Sequence, residues 1–301
     1  MQALKLLLGS TPVVAADLRE WWAATLATRA QWKHSIDRAI LLGAQADRLG
    51  YAFLGGYASA ITVLDPTLGD SELGALCATE SGGGHPRAIL TSLAGGVLTG
   101  AKRFVSGGSL ATVLLVVAKT GEHEGRPVLS VARIAARSPG VVLEDGPALD
   151  FVPEVPHGTV RFEGARVETV LEGDGYERYL KPFRTIEDLH VFGAVVGCLI
   201  SNGRERWSQG TVEQLLAVLA AISHLGRQDP RSVDVHLALA GVLTIARGLI
   251  DGLDLAVLEP GFRERFERDR MVLQIAEKAR EQRRVRAWDL PRPATAGRGP
   301  G

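Results

Sequence analysis

The stretch Leu76–Ser92, "LCATESGGGHPRAILTS", decides how this chain is read. A glycine triplet, Gly82 to Gly84, separates a short apolar run from a second one. Glycine in a turn supplies backbone conformations closed to other residues. Glycine against a ligand lets bare N–H groups come close where a Cβ would hold the chain off. The texture on either side of the triplet bears on which role applies.

Toward the N-terminus the period is helical. Leu18, Trp22 and Leu26, then Ile36, Ile40 and Leu41, recur at helical spacing with charged residues between them. "RLGYAFLGGYASAITVL" continues as a glycine-rich apolar helix or pair, and Pro66 with Gly69-Asp70 marks a break. From Leu76 to Val170 the texture changes to short β-branched runs: "TVLLVVAK", "PVLSVARI", "GVVLE" and "GTVRFEGARV". Turn signals separate them at Gly107-Gly108, Gly121 to Gly125, Ser138-Pro139-Gly140 and Pro156-His157-Gly158. Strands in series without helices between them predict a compact antiparallel sheet or barrel.

After Gly173-Asp174-Gly175 the pattern is helical again. Thr211 to Gln214 is a capping box opening a helix with the stripe Leu215, Val218, Leu219, Ile222 and Leu225. Ser232 caps a third helix, and Pro260 opens a fourth that the sequence carries to about Trp288. Four long helices with short connections predict an antiparallel bundle. The fold class is therefore α+β: an N-terminal helical segment (1–70), a central antiparallel β domain (71–175) and a C-terminal four-helix bundle (176–290). The remainder (291–301) has the proline- and glycine-rich composition of a disordered tail.

Bulk composition excludes several classes. The chain has 301 residues, 46% hydrophobic and 23% charged, as in ordinary globular proteins. Its formal net charge of zero offers no field to draw in nucleic acid or an anionic membrane. It also removes a barrier to self-association, which favours an oligomer. Two cysteines, Cys77 and Cys198, make no disulfide framework, so a reducing cytoplasmic setting is the expectation. No uninterrupted apolar run reaches the roughly 18 residues of a membrane span. The seven histidines show no metal-ligand spacing, and neither a GxSxG elbow nor a P-loop is present.

The neighbours of the glycine triplet are more specific. "LCATESGGGHPRAILTS", then "LTGAKRFVSGG", then "ATVLLVV" resembles the acyl-CoA dehydrogenase family, in which a T-E-P-x-x-G-S-D segment runs beside a flavin and an N-G-x-K-x-[WF]-I-[TS]-N-G segment follows. The matching positions are Thr79, Glu80, Gly84, Gly100, Lys102, Phe104, Ser106 and Gly108. "FVPEVPHGTVRFEGARV" is similar to the stretch closing the family's β domain, and the order β domain then bundle is the family's. The resemblance covers roughly Leu49 to Trp288. It implies an FAD-dependent α,β-dehydrogenation of an acyl thioester, carried on coenzyme A or an acyl carrier protein, with electrons passing to an external acceptor. It implies FAD contacts from Thr79 with the Cys77 backbone beside it, from Phe104 near the ring and from Ser106. Gly84 and His85 would meet the thioester, and Lys102 or Arg103 a coenzyme A phosphate.

The family chemistry needs a carboxylate base. "RDRMVLQIAEKAREQRR" resembles the segment that carries it, and Glu277 falls on the catalytic position. There the family's Gly-Thr is Lys278-Ala279, so the sequence reads as continuous helix with Glu277 pairing to Arg280. Were that carboxylate to face solvent, the base would have to be sought at Glu187 or Glu213. His85-Pro86 replaces the family's Ser-Asp, and Ser81 its proline. The arginine segment and the glycine loop that reach the outer half of FAD are missing. These departures point to the alternative, a catalytically degenerate protein of this fold acting as a binding or partner subunit in a homo- or hetero-oligomer.

Overall fold

A computed structural model of the chain describes residues 2–289, so the expected tail (291–301) lies outside the described residues. Five helices come first: α1 (Gln2–Leu7), α2 (Leu18–Ala24), α3 (Leu26–Gln31), α4 (Ser35–Ala44) and α5 (Leu49–Leu64). Eight strands follow: β1 (Gly74–Cys77), β2 (Ser92–Ala94), β3 (Val97–Ser106), β4 (Val113–His123), β5 (Arg126–Ala135), β6 (Val141–Asp145), β7 (His157–Arg166) and β8 (Thr169–Leu171). The chain closes with α6 (Lys181–Gly203), α7 (Gln209–Leu225), α8 (Val233–Asp251), α9 (Pro260–Asp269) and α10 (Glu277–Asp289). The architecture is α+β, with helices on both sides of the β segment in sequence.

The sheet runs β6-β7-β3-β2-β4-β5-β8, with β1 paired to β4. It is mixed rather than antiparallel, because β1 and β2 both lie parallel to β4. The reason lies in the glycine segment. After β1 the chain leaves through Ala78–Leu90, forms the β2–β3 hairpin, and returns to start β4 beside β1. A return of that length runs the two strands the same way.

β4 shows how one strand holds two cores together. Its residues alternate between the two faces of the sheet. Val113, Leu115 and Val117 join the helical core, while Leu114, Val116 and Ala118 join the interior of the β domain. Each fully buried leucine or valine contributes about 1.5–3 kcal/mol of transfer free energy. The helical core itself depends on close approach. A Cβ on Gly43 would lie 1.9 Å from the Ala194 carbonyl oxygen, and one on Gly56 would lie 2.8 Å from the backbone of His190 and Val191. Glycine at these two positions lets α4 and α5 lie directly against α6.

One expectation is corrected in the C-terminal region. The fourth bundle helix is not continuous: α9 passes into a 3₁₀ turn over Arg270–Gln274, and Ala276 takes a left-handed backbone (φ +63°) before α10 begins. An L-residue there is strained, and the helix formers that follow can only start a new helix. Among the described residues α8 alone has the length and composition of a membrane span, with 28% of its most apolar 18-residue window buried. Here it packs against α6, α7 and α10.

Candidate functional site

β1 ends at Cys77 and delivers Ala78, Thr79 and Glu80 to the mouth of the sheet. Glu80 is almost wholly buried, and its carboxylate is the hub of the loop that follows. It accepts from Leu90 N–H (2.8 Å), Thr91 N–H (3.0 Å) and the Lys102 ammonium (2.7 Å). Burial opposes its ionisation, but the Lys102 bond and the two N–H groups hold it below the ordinary carboxylate value. Burial likewise lowers Lys102, which is fully enclosed, against the pull of Glu80. Lys102 is thus a structural partner and is not open to a phosphate.

The glycine triplet closes onto this hub. Glu80 and Gly83 exchange two backbone hydrogen bonds, Glu80 N–H to the Gly83 carbonyl at 3.1 Å and the reverse at 2.9 Å. Gly83 sits at φ +102°, a conformation that favours glycine. Gly84 faces Thr79: a Cβ there would lie 3.4 Å from its hydroxyl oxygen. His85 is exposed, and its Nδ1 caps the next turn by accepting from Arg87 N–H at 3.2 Å.

β3 meets the same mouth from the other side. Arg103 N–H donates to the Thr79 carbonyl at 2.8 Å. The pairing of β3 with β7 is then broken between Lys102 and Val105, where Phe104 bulges out at φ +56°. Phe104 is 62% exposed, with the Arg103 guanidinium 5.6 Å from its ring centre. Strain of this kind is found at functional sites more often than elsewhere, which makes Phe104 a candidate ligand contact. Two residues on, half-buried Ser106 lies near the Tyr57 hydroxyl.

Tyr57, on α5, carries the site into the helical layer. Its hydroxyl accepts from Leu76 N–H at 2.9 Å, and its ring lies against Phe53 and Phe183. The same cluster contains Glu187 of α6, which is close enough to push the Tyr57 phenol further above its ordinary value. Burial and neighbouring Asp188 raise Glu187 to about 7, against Arg184 and Arg280. Asp188 is itself neutralised by α10, accepting from Arg280 at 3.0 Å and from Arg283. Glu187 is therefore a desolvated carboxyl between two protonation states near neutral pH, the property a general base requires.

No family model matches the sequence, and no curated protein does. Solved structures do match. Butyryl-CoA dehydrogenase from Megasphaera elsdenii superposes with a TM-score of 0.62 at 16% identity, over 84% of this chain and 82% of that one. A probable acyl-CoA dehydrogenase from Mycobacterium abscessus gives 0.62 at 17% identity, over 95% and 97%. An FAD complex of PigA gives 0.59 at 15% identity, over 90% and 89%. The fold is that of the acyl-CoA dehydrogenases.

Within the acyl-CoA dehydrogenase fold, the residues expected around the flavin gather at one mouth. Cys77 is buried at the end of β1, its thiol pushed up to about 12 by burial and therefore inert, leaving its backbone as the usable part. Thr79, Gly84, Phe104 and Ser106 line the same mouth through the contacts above. Glu277 does not join them. Its side chain is 59% exposed and bonds Arg247 of α8 at 2.6 Å. Arg280, its expected helical partner, turns instead to Asp188. Sequence reading left Tyr57 unassigned, and Lys102, expected at a coenzyme A phosphate, is instead the buried partner of Glu80. Among the described residues no group of three His, Cys, Asp or Glu side chains could hold a metal.

Proposed function

We propose that this chain is an FAD-dependent dehydrogenase of acyl thioesters and that Glu187, rather than Glu277, is its base. The observation that carries the proposal is the position of Glu187: a desolvated carboxyl near Tyr57, the residue that joins α5 to the end of β1 through Leu76. The residues at the mouth suit a flavin. Phe104 offers a ring face, the Cys77–Thr79 backbone offers polar groups without intervening bulk, and Ser106 offers a hydroxyl.

When bound, FAD supplies the two-electron acceptor for the hydride leaving the β-carbon. The chain's part is to take the α-proton. Ionised Glu187 accepts it at a carboxylate oxygen, becoming neutral, as the α,β double bond forms and the hydride departs. A carboxyl near 7 suits this work, since a fully solvated one is too weak a base at neutral pH. Burial of Tyr57, Phe53 and Phe183 keeps water from that side of the carboxyl. The thioester, on coenzyme A or an acyl carrier protein, would enter past Gly84 and His85. Arg103, which has no carboxylate partner among the described residues, is the cation at that entrance. An external electron acceptor and a cytoplasmic setting belong to the same proposal.

The test is the visible absorption spectrum of the protein purified without added flavin, and again after incubation with FAD. Flavin bands near one per chain, bleached by a saturated acyl-CoA, are the expected result. A colourless protein that takes up no FAD would overturn the proposal and leave the fold as a binding or partner subunit.

A further inference from the structure

We propose that the segment from Arg270 to Asp289 is a latch with two positions. One is the broken form seen here, with α10 folded against α6. The other is a straight form in which α9, the 3₁₀ turn and α10 run on as one helix. The two positions do not depend on the flavin reading; only their consequence for Glu187 rests on it.

The local sequence favours the straight form. No glycine or proline occurs from Phe262 to Asp289, and strong helix formers stand on both sides of the break. In a continuous helix the Glu277 N–H would bond the Leu273 carbonyl and the Ala279 N–H the Ile275 carbonyl, four residues back in each case. The break forfeits both bonds. It also puts Ala276 in a left-handed conformation that an L-residue takes only at a cost. A tertiary contact has to hold such a break open.

Arg280 makes that contact. Its Nη1 donates to the Leu273 carbonyl at 3.1 Å, and its Nη2 donates to the Ile275 carbonyl. These are two of the carbonyls that the break strands, so one guanidinium stands in for two backbone N–H groups. Its Nε donates to Asp188 of α6 at 3.0 Å, and it lies over Phe192 of the same helix, 5.1 Å from the ring centre. Arg283 donates to the other oxygen of Asp188. Asp188 is therefore the point at which the latch closes. Apolar packing adds little, because Ala287 is the one buried residue of α10 among those described. The broken form thus trades backbone bonds and a relaxed Ala276 for one shared carboxylate, and two such arrangements of one segment make a two-state element. In the straight form Asp188 loses both guanidiniums, and the face of α6 carrying Asp188 and Phe192 opens to water next to Glu187.

The experiment is amide hydrogen exchange, read residue by residue by NMR, on the full chain without added flavin. The probes are the amides of Glu277, Lys278 and Ala279. As the first turn of α10 they lack helical partners in the broken form, and they gain them in the straight form. Arg280→Met removes the stand-in donors and keeps a good helix former. It is expected to slow these three amides about tenfold or more. Ala276→Gly acts in the opposite sense. Glycine relieves the left-handed strain and weakens the straight helix, together favouring the broken form by about thirtyfold or more. Ala276→Gly placed on Arg280→Met is therefore expected to return the three amides to fast exchange. Faster exchange throughout α10 in Arg280→Met would overturn the proposal, because α10 would then be a docked helix that melts when released. Unchanged exchange would overturn it too, as would slow exchange that survives Ala276→Gly. Should Arg280→Met not fold, Asp188→Asn takes its place with the same expected and overturning results, since it removes the charge that both arginines share. The exchange readout needs no flavin, so it decides the latch whatever becomes of the flavin reading.

Discussion

Glu187 and Glu277 both stand among arginines on the C-terminal helices, yet their surroundings give them different chemistry. Glu187 lies in the first of these helices, near Tyr57 of α5, where burial and Asp188 raise it to about 7. The arginines of α10 that could have neutralised it are spent on Asp188. Glu277 begins the last helix just after the left-handed residue Ala276, bonded to Arg247 with more than half of its side chain in solvent. The difference lies in solvent and geometry, since both are glutamates with guanidinium groups nearby. A proton acceptor has to be drained of water but not locked to a cation.

The strongest way to break this contrast is to exchange each carboxylate for its amide in the FAD-loaded protein. Glu187→Gln is expected to lower the rate of acyl-CoA bleaching about 10³-fold, within the usual range for loss of a general base. Glu277→Gln is expected to stay within about threefold, since a solvated ion pair contributes little. The reverse ranking, measured by stopped-flow absorbance at one pH, would return the base to α10.

A second test asks whether the buried frame holds the flavin side apart from the base side. Lys102→Met leaves Glu80 buried and ionised without its cation. Breaking such a pair from one side costs about 3–5 kcal/mol. The expected readout is a lowered urea midpoint with unchanged slope. Glu80→Gln with Lys102→Met is expected to recover much of the loss, because both charges are then gone. No recovery in the double variant would mean the pair is not the hub of the glycine loop.

The sequence made the β segment and most of the candidate site legible for local reasons. Thr79 and Gly84 stand at fixed spacings in the loop after β1 and Phe104 and Ser106 at the end of β3, and the turn at Gly83 requires a backbone conformation that glycine supplies. Two things were not legible. The parallel pairing of β1 with β4 depends on where the chain goes after the glycine loop, which strand patterns do not state. The base depends on packing between α5, β1 and α6, and desolvation is a three-dimensional property with no local signature. "RTIEDLH" and "AEKAREQ" read equally as charged helix. Only the folded chain shows that one acid is half-buried among α5 and α6 and the other mostly exposed. The break at Ala276 was hidden for a related reason: strong helix formers on both sides mask a strained residue imposed by tertiary packing.

A third prediction uses pH to sharpen the contrast in stability. Glu187 in the folded chain keeps its proton up to about 7, while the unfolded chain loses it near 4.5. Between those values the folded state binds more protons, so stability from this group falls as pH rises, and the loss is complete above 7. Its size is on the order of 1–3 kcal/mol. Glu187→Gln removes that loss. The variant is expected to equal wild type at pH 4 and to exceed it at pH 8 in denaturant midpoint. His190 acts oppositely. Buried between the Ile186 carbonyl and the Ser35 hydroxyl, and lowered to about 4 by burial, it loses stability as pH falls through the range below 6.5. It is common to both proteins, so the difference between them isolates Glu187. A difference that does not grow with pH would mean the carboxyl is solvated.

The smallest expected effect concerns the outer glutamate itself. Glu277 and Arg247 join α10 to α8 across a half-exposed surface, and Arg247 also donates to the Leu273 carbonyl at 3.2 Å. An ion pair in that setting is worth about 0–1 kcal/mol, and salt screens it. A cycle of Glu277→Gln and Arg247→Met is therefore expected to give a coupling below about 1 kcal/mol that shrinks further in 1 M salt. The Arg247 single variant should cost more than the Glu277 one, because it also removes the donor to the Leu273 carbonyl in the 3₁₀ turn. If the coupling reached several kcal/mol and ignored salt, the pair would be behaving as a buried one. The contrast with Glu187 would then fail at its outer half, since the two carboxyls would share the dry environment that was meant to tell them apart.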